Sequence, residues 1–496
     1  MLADVLALVA DPQVWLYVTL GLILGLVVGA IPGLTATTAV TVLLPIAFFL
    51  PSHVGIPFLI AVTKGAFYAG AIPAILISTP GTAAAAATVL DGYPLARQGK
   101  ARKALEVSLY GSTIGDILSN IVALVLAGAV ASVALRLGPP EMSVIMIAGL
   151  ATIAMLSGAS KAKGMISAGL GLMIAGIGMD PTYGVSRMTF GFDQFAGGFD
   201  FIVVVLGLYA ITELLIQGRS FTRTTATRIR QLGDGLTKDE FVQCLPAIFR
   251  GTVVGILIGL VPALNQAVAA FLAWAQEKKR SKQPERFGKG ALEGVATVET
   301  ANNAVNGPAM VPLLTFGIPG DTITAVLLAA LLVHGISPGP RIFEEHGEQV
   351  YALFLIFILS SVVLLIIGKL VMPWVARVAD MPMGGLLAFG CVFSMVGAYA
   401  IGYSTRDVLL IIAFGLLGYV MTLSGIPREP LLITMLLAPP IEAAVSQSLA
   451  MGGPGIFTQR PIAIALAVVF VVGLTYLSRT KKTVAAAEHE LVARED

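Results

Sequence analysis

The sequence predicts an all-α polytopic membrane protein with an inverted-topology repeat and discontinuous or re-entrant helices. Of its 496 residues, 56% are hydrophobic and only 12% are charged. Soluble proteins carry roughly 25% charged residues, so the apolar excess of this chain must face lipid. The 54 glycines and 27 prolines fit that environment, because membrane helices use both for close packing and for helix breaks.

Apolar runs mark the candidate helices. A helix needs about 20 residues to cross roughly 30 Å of hydrocarbon, and several of the runs are shorter than that. Two further regions, 56–90 and 292–334, are apolar but interrupted by Pro and Gly, and we interpret them as re-entrant or discontinuous segments. The uninterrupted runs are 14–31, 35–50, 104–137, 143–158, 164–179, 199–217, 243–261, 264–275, 349–375, 384–401, 406–423, 431–445 and 461–478.

Basic residues predict the orientation, because basic segments beside membrane helices stay in the cytoplasm. The segments rich in Lys and Arg are 97–103, 161–163, 219–238, 278–289 and 479–482, and we place them in the cytoplasm. The loops 51–55, 138–142, 180–198 and 341–348 hold few basic residues and are expected outside. The N-terminus is then outside and the C-terminus inside.

The N-terminus does not resemble a signal peptide, which begins with basic residues. The residues before the first long apolar run include Asp4 and Asp11 but no Lys or Arg.

Several classes of site are excluded by composition and motif. Cys244 and Cys391 are the only cysteines, and the four histidines show no HExxH spacing, so we expect no disulfide framework and no metal cluster. The sequence has no GxxxxGK[ST] motif for ATP hydrolysis. An intramembrane enzyme, such as a lipid-modifying transferase, would need a paired acidic motif or a Ser/Lys or Ser/His pair, which we do not find. We expect no enzyme activity, no cofactor and no nucleic-acid partner.

Two groups of residues recur in the two halves of the chain. The element Pro80-Gly81-Thr82 is echoed by Pro319-Gly320-Asp321-Thr322, about 239 residues later. The loop after the first element is basic and the loop after the second is acidic, which places equivalent loops on opposite sides of the membrane. A second group, Gly25, Gly29, Pro32 and Leu34, recurs 230 residues later as Gly255, Gly259, Pro262 and Leu264.

The repeat defines the expected domain organisation. We assign 1–217 to the first transmembrane repeat and 243–478 to the second, inverted one. Residues 218–242 are the expected cytoplasmic linker, and 479–496 the cytoplasmic tail.

Two long motifs carry a family resemblance. The first runs from Lys64 to Thr82 as KGAFYAGAIPAILISTPGT and continues at 87–94 as ATVLDGYP. The second combines ETANNA at 299–304, VPLLTFGIPG at 311–320 and HGISPGP at 334–340. In this order and in opposite halves, they resemble the large permease subunit of the tripartite tricarboxylate transporters, the TctA family. The resemblance covers roughly residues 20–480.

The resemblance implies a three-component system of the bacterial inner membrane. A periplasmic solute-binding protein would capture an organic acid, and a small four-helix membrane subunit would accompany this chain. This chain would move the acid, a di- or tricarboxylate, in symport with Na⁺ or H⁺. The alternative is a stand-alone secondary carrier of carboxylates or ions with no partner subunits.

The Pro-Gly elements are the expected substrate site. Pro80 lacks a backbone donor and Gly81 permits unusual dihedral angles, so together they break the helix. The half-helix that follows, 82–90, would expose free N–H groups and a positive dipole end to an anion. In the second element Asp321 is expected to cap the next half-helix. The alternative is that both elements are packing kinks. The expected substrate-binding residues of the two elements are Thr79, Pro80, Gly81, Thr82, Pro319, Gly320, Asp321 and Thr322.

Polar residues beside the second element are candidates for ion coupling. Asn302 and Asn303 offer a donor and an acceptor each, which suits a carboxylate or a transiently bound Na⁺. Glu299 could carry a proton or Na⁺ together with Asn303 and Asp321. The alternatives are interhelical hydrogen bonds for the two asparagines and a position near the cytoplasmic end for Glu299.

Lys64 is the most unusual charge, because a charge at the bilayer centre costs at least about 2.5–3.5 kcal/mol. It must extend to the interface, pair with an acid such as Asp116, or bind the anionic substrate.

Asp91 is expected to be a turn residue that helps set the conformation of the basic loop 97–103. In the outward loop 180–198, the rings of Tyr183, Phe190, Phe192 and Phe195 form either a docking surface for the binding protein or an interfacial aromatic belt.

Overall fold

The computed structural model describes residues 1–31, 34–158, 160–180, 184–219, 233–262, 264–378 and 404–475, with isolated positions between 392 and 399. Much of the predicted linker 218–242, most of the run 384–401, and the whole tail 479–496 lie outside the described residues.

The described chain is a bundle of helices, as predicted. Nine of its described helices are long and apolar enough to span a membrane, so the chain is a multi-pass membrane protein. A two-stranded hairpin, β1 (Gly178–Met179) and β2 (Ser186–Arg187), is its described sheet.

The helices of the first half begin with α1, which apolar runs alone did not predict. Between α9 and α10 the helix continues as a π-helical stretch, Leu206–Ile211. The helices are α1 (Leu2–Ala10), α2 (Pro12–Gly29), α3 (Ala36–Phe48), α4 (Ser52–Ile77), α5 (Ala85–Arg97), α6 (Ala101–Ala134), α7 (Pro139–Leu156), α8 (Lys161–Ala175), α9 (Phe201–Val205) and α10 (Thr212–Arg219).

The second half begins with α11, whose first turn lies inside the predicted linker 218–242. The helices are α11 (Lys238–Gly259), α12 (Gln266–Arg280), α13 (Leu292–Ala304), α14 (Asn306–Phe316), α15 (Thr322–Val333), α16 (Ile342–Glu345), α17 (Gly347–Val378), α18 (Thr405–Leu423), α19 (Glu429–Gly452), α20 (Ile456–Gln459) and α21 (Pro461–Thr475).

Both Pro-Gly elements interrupt helices, as predicted. The first break separates α4 from α5, and the second separates α14 from α15. The prediction that the first half-helix begins at residue 82 is wrong by three positions, because residues 83–84 form a turn and α5 begins at Ala85. Of the apolar window of α4, 94% is buried, so this helix forms the centre of the bundle and does not face lipid.

Glycines let the helices of each half approach to backbone contact. A Cβ atom on Gly25 of α2 would lie 2.2 Å from the carbonyl oxygen of Val62 in α4. A Cβ atom on Gly255 of α11 would lie 2.6 Å from the carbonyl oxygen of Ala301 in α13. Equivalent glycine contacts with a carbonyl oxygen occur one helical turn before and after these positions in each half. They join Gly21 to Phe58, Gly29 to Ala66, Gly251 to Thr297 and Gly259 to Val305. Each glycine of α2 and its counterpart in α11 are 230 residues apart, and the residues that they contact are 239 residues apart. These are the two shifts of the sequence repeat.

The helix ends repeat with the same shifts. Ser78 ends α4 in a left-handed conformation (φ 55°), and Gly317, 239 positions later, ends α14 in the same way (φ 68°). Thr35 caps α3 by accepting from Thr38 N at 3.2 Å, and 230 positions later Asn265 caps α12 by accepting from Val268 N at 3.3 Å. Each half therefore contains two helix breaks of matching geometry.

Loop contacts divide the polar ends of the bundle into two groups. In one group, Gln98 donates to the Lys289 carbonyl oxygen at 2.7 Å, and Lys103 pairs with Glu240 at 2.5 Å. The first contact joins the basic loops 97–103 and 278–289, and the second joins the start of α6 to the start of α11. In the other group, His53 contacts Asp11 at 2.9 Å, His334 Nε2 lies 3.1 Å from Ala47 O, and the N-terminal amine is 3.9 Å from Glu348. This grouping is what an inverted repeat requires.

The two groups should label from opposite sides of the membrane. In a variant lacking Cys244 and Cys391, single cysteines at the exposed positions Gln98, Glu285 and Glu345 serve as probes. We expect a membrane-impermeant maleimide to label position 345 in intact cells, and positions 98 and 285 only after permeabilisation. Labelling of position 285 in intact cells would contradict the inverted topology.

Candidate functional site

Four helix N-termini converge on one cavity of about 730 Å³. They belong to α3, α5, α12 and α15, the helices that follow the four breaks. Each N-terminus presents the positive end of a helix dipole, which favours an anion. The cavity is within the size range of small-molecule sites. Residues of these N-termini that line it are Thr35–Thr38, Thr82–Ala84, Asn265–Val268 and Gly320–Ile323.

The caps of these helices are short polar side chains. Asp321 caps α15, as predicted: its Oδ1 accepts from Thr324 N at 2.8 Å, while its Oδ2 accepts from Gln266 Nε2 at 3.1 Å. Thr82, 239 positions earlier, accepts from Ala85 N at 3.2 Å. Thr35 and Asn265 were not predicted from the sequence, although they directly follow Leu34 and Leu264 of the sequence repeat.

The structure brings only part of the predicted substrate site to the cavity. Thr82, Gly320, Asp321 and Thr322 line it, whereas Thr79, Pro80, Gly81 and Pro319 are not among its lining residues. Thr79 donates to the Ile77 carbonyl oxygen at 3.2 Å.

The two glycines of the Pro-Gly elements have different roles. A Cβ atom on Gly81 would lie 2.5 Å from the Gly29 carbonyl oxygen, so this glycine serves backbone packing between α2 and the break. The nearest atom to a Cβ on Gly320 would be 3.8 Å away, at Pro262, so this position is open towards the cavity. The backbone at Gly320 is therefore accessible to a ligand, whereas Gly81 is packed against α2.

Arg428 also lines the cavity, and it was not predicted from the sequence. Its guanidinium lies over the Tyr209 ring at 4.9 Å, and Nη1 donates to the Leu208 carbonyl oxygen at 2.8 Å. Within the described part of the chain it forms no ion pair. The signal was available, since Arg428 interrupts an apolar region within Gly425-Ile-Pro-Arg-Glu-Pro430, another break rich in Pro and Gly.

Lys64 lies behind this cavity in a buried polar cluster. Its ammonium group is 2.6 Å from Asp116 Oδ2 and 2.9 Å from Ser361 Oγ, and it also donates to the Phe357 carbonyl oxygen. Only 1% of the side chain is exposed, so the interpretation that Lys64 extends to the outer interface is wrong. Asp116 is its counter-ion, which was one of the alternatives from the sequence. Pairing and hydrogen bonding offset the cost of burying both charges.

Glu299 heads a second buried cluster, between α5, α6 and α13. Its carboxylate accepts from the Thr88 hydroxyl and, at 3.4 Å, from Ser112 Oγ. Asn303 donates to Ser112 Oγ at 2.9 Å and to the Glu299 carbonyl oxygen at 3.0 Å. Glu299, Asn302 and Asn303 are all buried, and none of them lines the large cavity. The two predicted sets of polar residues thus occupy separate places.

Asp91 is structural, but it is not the predicted turn residue. It lies inside α5 and is buried. One carboxylate oxygen accepts from three backbone N–H groups of the loop before α13, at Gly288 (2.8 Å), Gly290 (3.0 Å) and Ala291 (2.9 Å), and the other accepts from Trp274 Nε1 at 2.7 Å. Asp91 therefore orders a loop of the second half, about 200 residues away.

Comparison with known proteins identifies the family. The chain is 32% identical over 460 residues to a protein described as "Uncharacterized 52.8 kDa protein in TAR-I ttuC' 3'region" of Agrobacterium vitis, covering 91% of this chain and 90% of that protein. It is 33% identical over 215 residues, 43% of this chain, to an "Uncharacterized protein in TAR-II ttuC' 3'region" of the same organism, of which 88% is covered. No solved structure matches. Because the model of the tripartite tricarboxylate transporter TctA family matches residues 15–433, the chain belongs to that family of transporters.

Proposed function

We propose that this chain takes up an organic di- or tricarboxylate, driven by a Na⁺ or H⁺ gradient, as the large permease subunit of a binding-protein-dependent tripartite transporter. The observation that carries the proposal is the convergence of four helix N-termini and Arg428 on one cavity. Several separate positive ends suit a ligand with several carboxylates better than a single small anion. Membership of the TctA family supports the transport class.

We propose the following roles for the residues around the cavity. Backbone N–H groups at the starts of α5 and α15, beside Thr82 and Thr322, would donate to substrate carboxylates. Gly320 leaves room for the approach of the substrate, and Arg428 would supply a charged donor pair. Asn302, Asn303 and Lys64 do not line the cavity, so their part in substrate binding would be indirect.

The proposed partners are a periplasmic solute-binding protein and a small four-helix membrane subunit, in a bacterial inner membrane with the N-terminus periplasmic and the C-terminus cytoplasmic. The loop after β2 supports a docking role, because Phe190 and Phe192 are 74% and 60% exposed. Phe195 instead packs against Phe192 and Phe199, with ring centroids 6.0 and 5.5 Å apart, and Tyr183 lies outside the described residues. We therefore propose Phe190 and Phe192 as the docking residues for the binding protein.

Uptake by proteoliposomes tests the proposal. The permease and its small subunit are reconstituted, an ion gradient is imposed, and a panel of labelled mono-, di- and tricarboxylates is offered with and without the binding protein. We expect saturable uptake of a di- or tricarboxylate that requires both the gradient and the binding protein at micromolar substrate. Failure to transport any carboxylate under these conditions would overturn the proposed function.

The same assay separates the tripartite system from a stand-alone carrier. Phe190→Ser with Phe192→Ser should reduce uptake to the level seen without the binding protein, because the docking contact is lost. Equal uptake with and without the binding protein would favour a self-sufficient carrier.

A further inference from the structure

We propose that the cluster around Glu299 is a binding site for Na⁺, with Thr88, Ser108, Ser112 and Asn302 supplying neutral oxygen ligands around the one carboxylate. The inference deepens the proposed function and rests on it in one respect: Na⁺ at this site would be the coupling ion. The binding of Na⁺ itself can be measured independently of transport.

Glu299 is a buried carboxyl group without a positively charged partner in the described part of the chain, which is the first observation that supports the site. Glu299 is fully buried, and among the described residues no Lys or Arg forms an ion pair with it. A buried carboxylate without a positive partner is costly, so it is either protonated or accompanied by a cation. The nearest buried ammonium group, that of Lys64, is already paired with Asp116 at 2.6 Å.

The second support is a set of unsatisfied polar atoms around the same carboxylate. Ser108 and Asn302 both face Glu299. Yet Ser108 Oγ and both polar atoms of the Asn302 side chain have no hydrogen bond of acceptable geometry within the described part of the chain, although they are fully buried. Such groups are rare in folded proteins, where a bound ion or an ordered water usually satisfies them.

The atom types favour a cation over a proton. A proton on Glu299 would add a single donor, which could satisfy the oxygen of Ser108 or that of Asn302 but not both. A cation gathers several oxygens at once. With one carboxylate and otherwise neutral oxygens the site matches a monovalent ion, whereas Ca²⁺ and Mg²⁺ sites draw on more carboxylates or on phosphates. No group of three or more His, Cys, Asp or Glu side chains that could hold a metal ion occurs in the described ranges.

Two residues first expected to carry the ion are assigned elsewhere. Asp321 uses Oδ1 to cap α15 and Oδ2 to accept from Gln266, so it belongs to the substrate cavity. The Asn303 amide nitrogen is occupied by Ser112 and the Glu299 carbonyl oxygen, which makes it a positioning residue for Ser112.

The position of Thr88 links the ion to the substrate. Thr88 lies one helical turn after Ala84, which lines the cavity at the start of α5. Na⁺ bound between Thr88 and Glu299 would hold α5 against α13 and so fix the N–H groups that the start of α5 presents to the substrate. Ion binding would then precede tight carboxylate binding, which is the order that symport needs.

Equilibrium binding of ²²Na⁺ to the purified full-length chain tests the site, in choline buffer without substrate. We expect saturable binding of one Na⁺ per chain in the wild type, loss of binding in Glu299→Gln, and at least a tenfold weaker affinity in Asn302→Ala. Glu213→Gln is the matched control, because it neutralises another buried carboxyl, on α10, and should bind Na⁺ like the wild type. Size-exclusion profiles establish that each variant is folded.

The proposed site would be contradicted if Glu299→Gln bound Na⁺ with the affinity of the wild type. It would also be contradicted if the wild type showed no saturable Na⁺ binding. Calorimetry of carboxylate binding to the wild type is run alongside. If the carboxylate binds but Na⁺ does not, the ion site is wrong while the proposed function stands.

Discussion

Replacing Arg428 by Gln should weaken carboxylate binding by roughly tenfold to a hundredfold and abolish uptake at micromolar substrate. Hydrogen bonds to a charged group contribute about 1.5–3 kcal/mol, and Arg428 is the cavity's candidate for two such bonds to one carboxylate. Isothermal titration calorimetry on the purified permease measures the affinity directly.

Arg102→Gln is the control for Arg428→Gln. Arg102 is exposed and pairs with Glu106 on the same helix at 2.8 Å, far from the cavity, and such surface pairs contribute little. We expect this variant to bind and transport like the wild type. Unchanged carboxylate affinity in Arg428→Gln would remove this residue from the site and leave the four helix N-termini as its only positive groups.

Replacing Lys64 by Met should destabilise the protein by about 3–5 kcal/mol, because it leaves the buried Asp116 without its counter-ion. Thermal unfolding in detergent measures the loss. The double variant Lys64→Met with Asp116→Leu should recover most of it, since neither buried charge then remains. The hydroxyl of Ser361, which contacts both groups, limits the recovery.

This double-mutant comparison also separates two roles for Lys64. A structural ion pair predicts a large loss in the single variant and a recovery in the double one. If Lys64→Met unfolds at the wild-type temperature but binds carboxylate more weakly, Lys64 contacts the substrate and the structural assignment is wrong.

The sequence predicted the parts of the fold that depend on local chemistry. Pro80 and Gly81 disrupt helix geometry wherever they occur together, and an Asp such as Asp321 is a favoured cap, so the breaks and the cap could be expected. The repeated glycines also indicated close helix contacts. The start of α5 was misplaced by three residues because Thr82 caps the helix through a preceding turn, which no residue type announces.

The sequence could not predict which distant side chains would meet. The pairing of Lys64 with Asp116, and the contacts of Asp91 with the loop before α13, depend on how each helix is rotated about its axis in the bundle. Arg428 was missed for the same reason: only the packed structure brings the start of α19 beside the starts of α5 and α15. The charge itself was visible, but its position opposite the Pro-Gly elements was not.

Substrate protection of a cysteine in the cavity tests the central claim most directly. Ala83 is exposed at the N-terminal turn before α5 and lines the cavity, so Ala83→Cys in the cysteine-free variant places a thiol at the proposed anion site. A cysteine at Glu345, the last residue of α16, serves as the control. We expect the transported carboxylate to slow modification of position 83 by a small anionic thiol reagent at least tenfold, and to leave position 345 unaffected. An unchanged rate at position 83, with saturating carboxylate present, would contradict the assignment of this cavity as the substrate site.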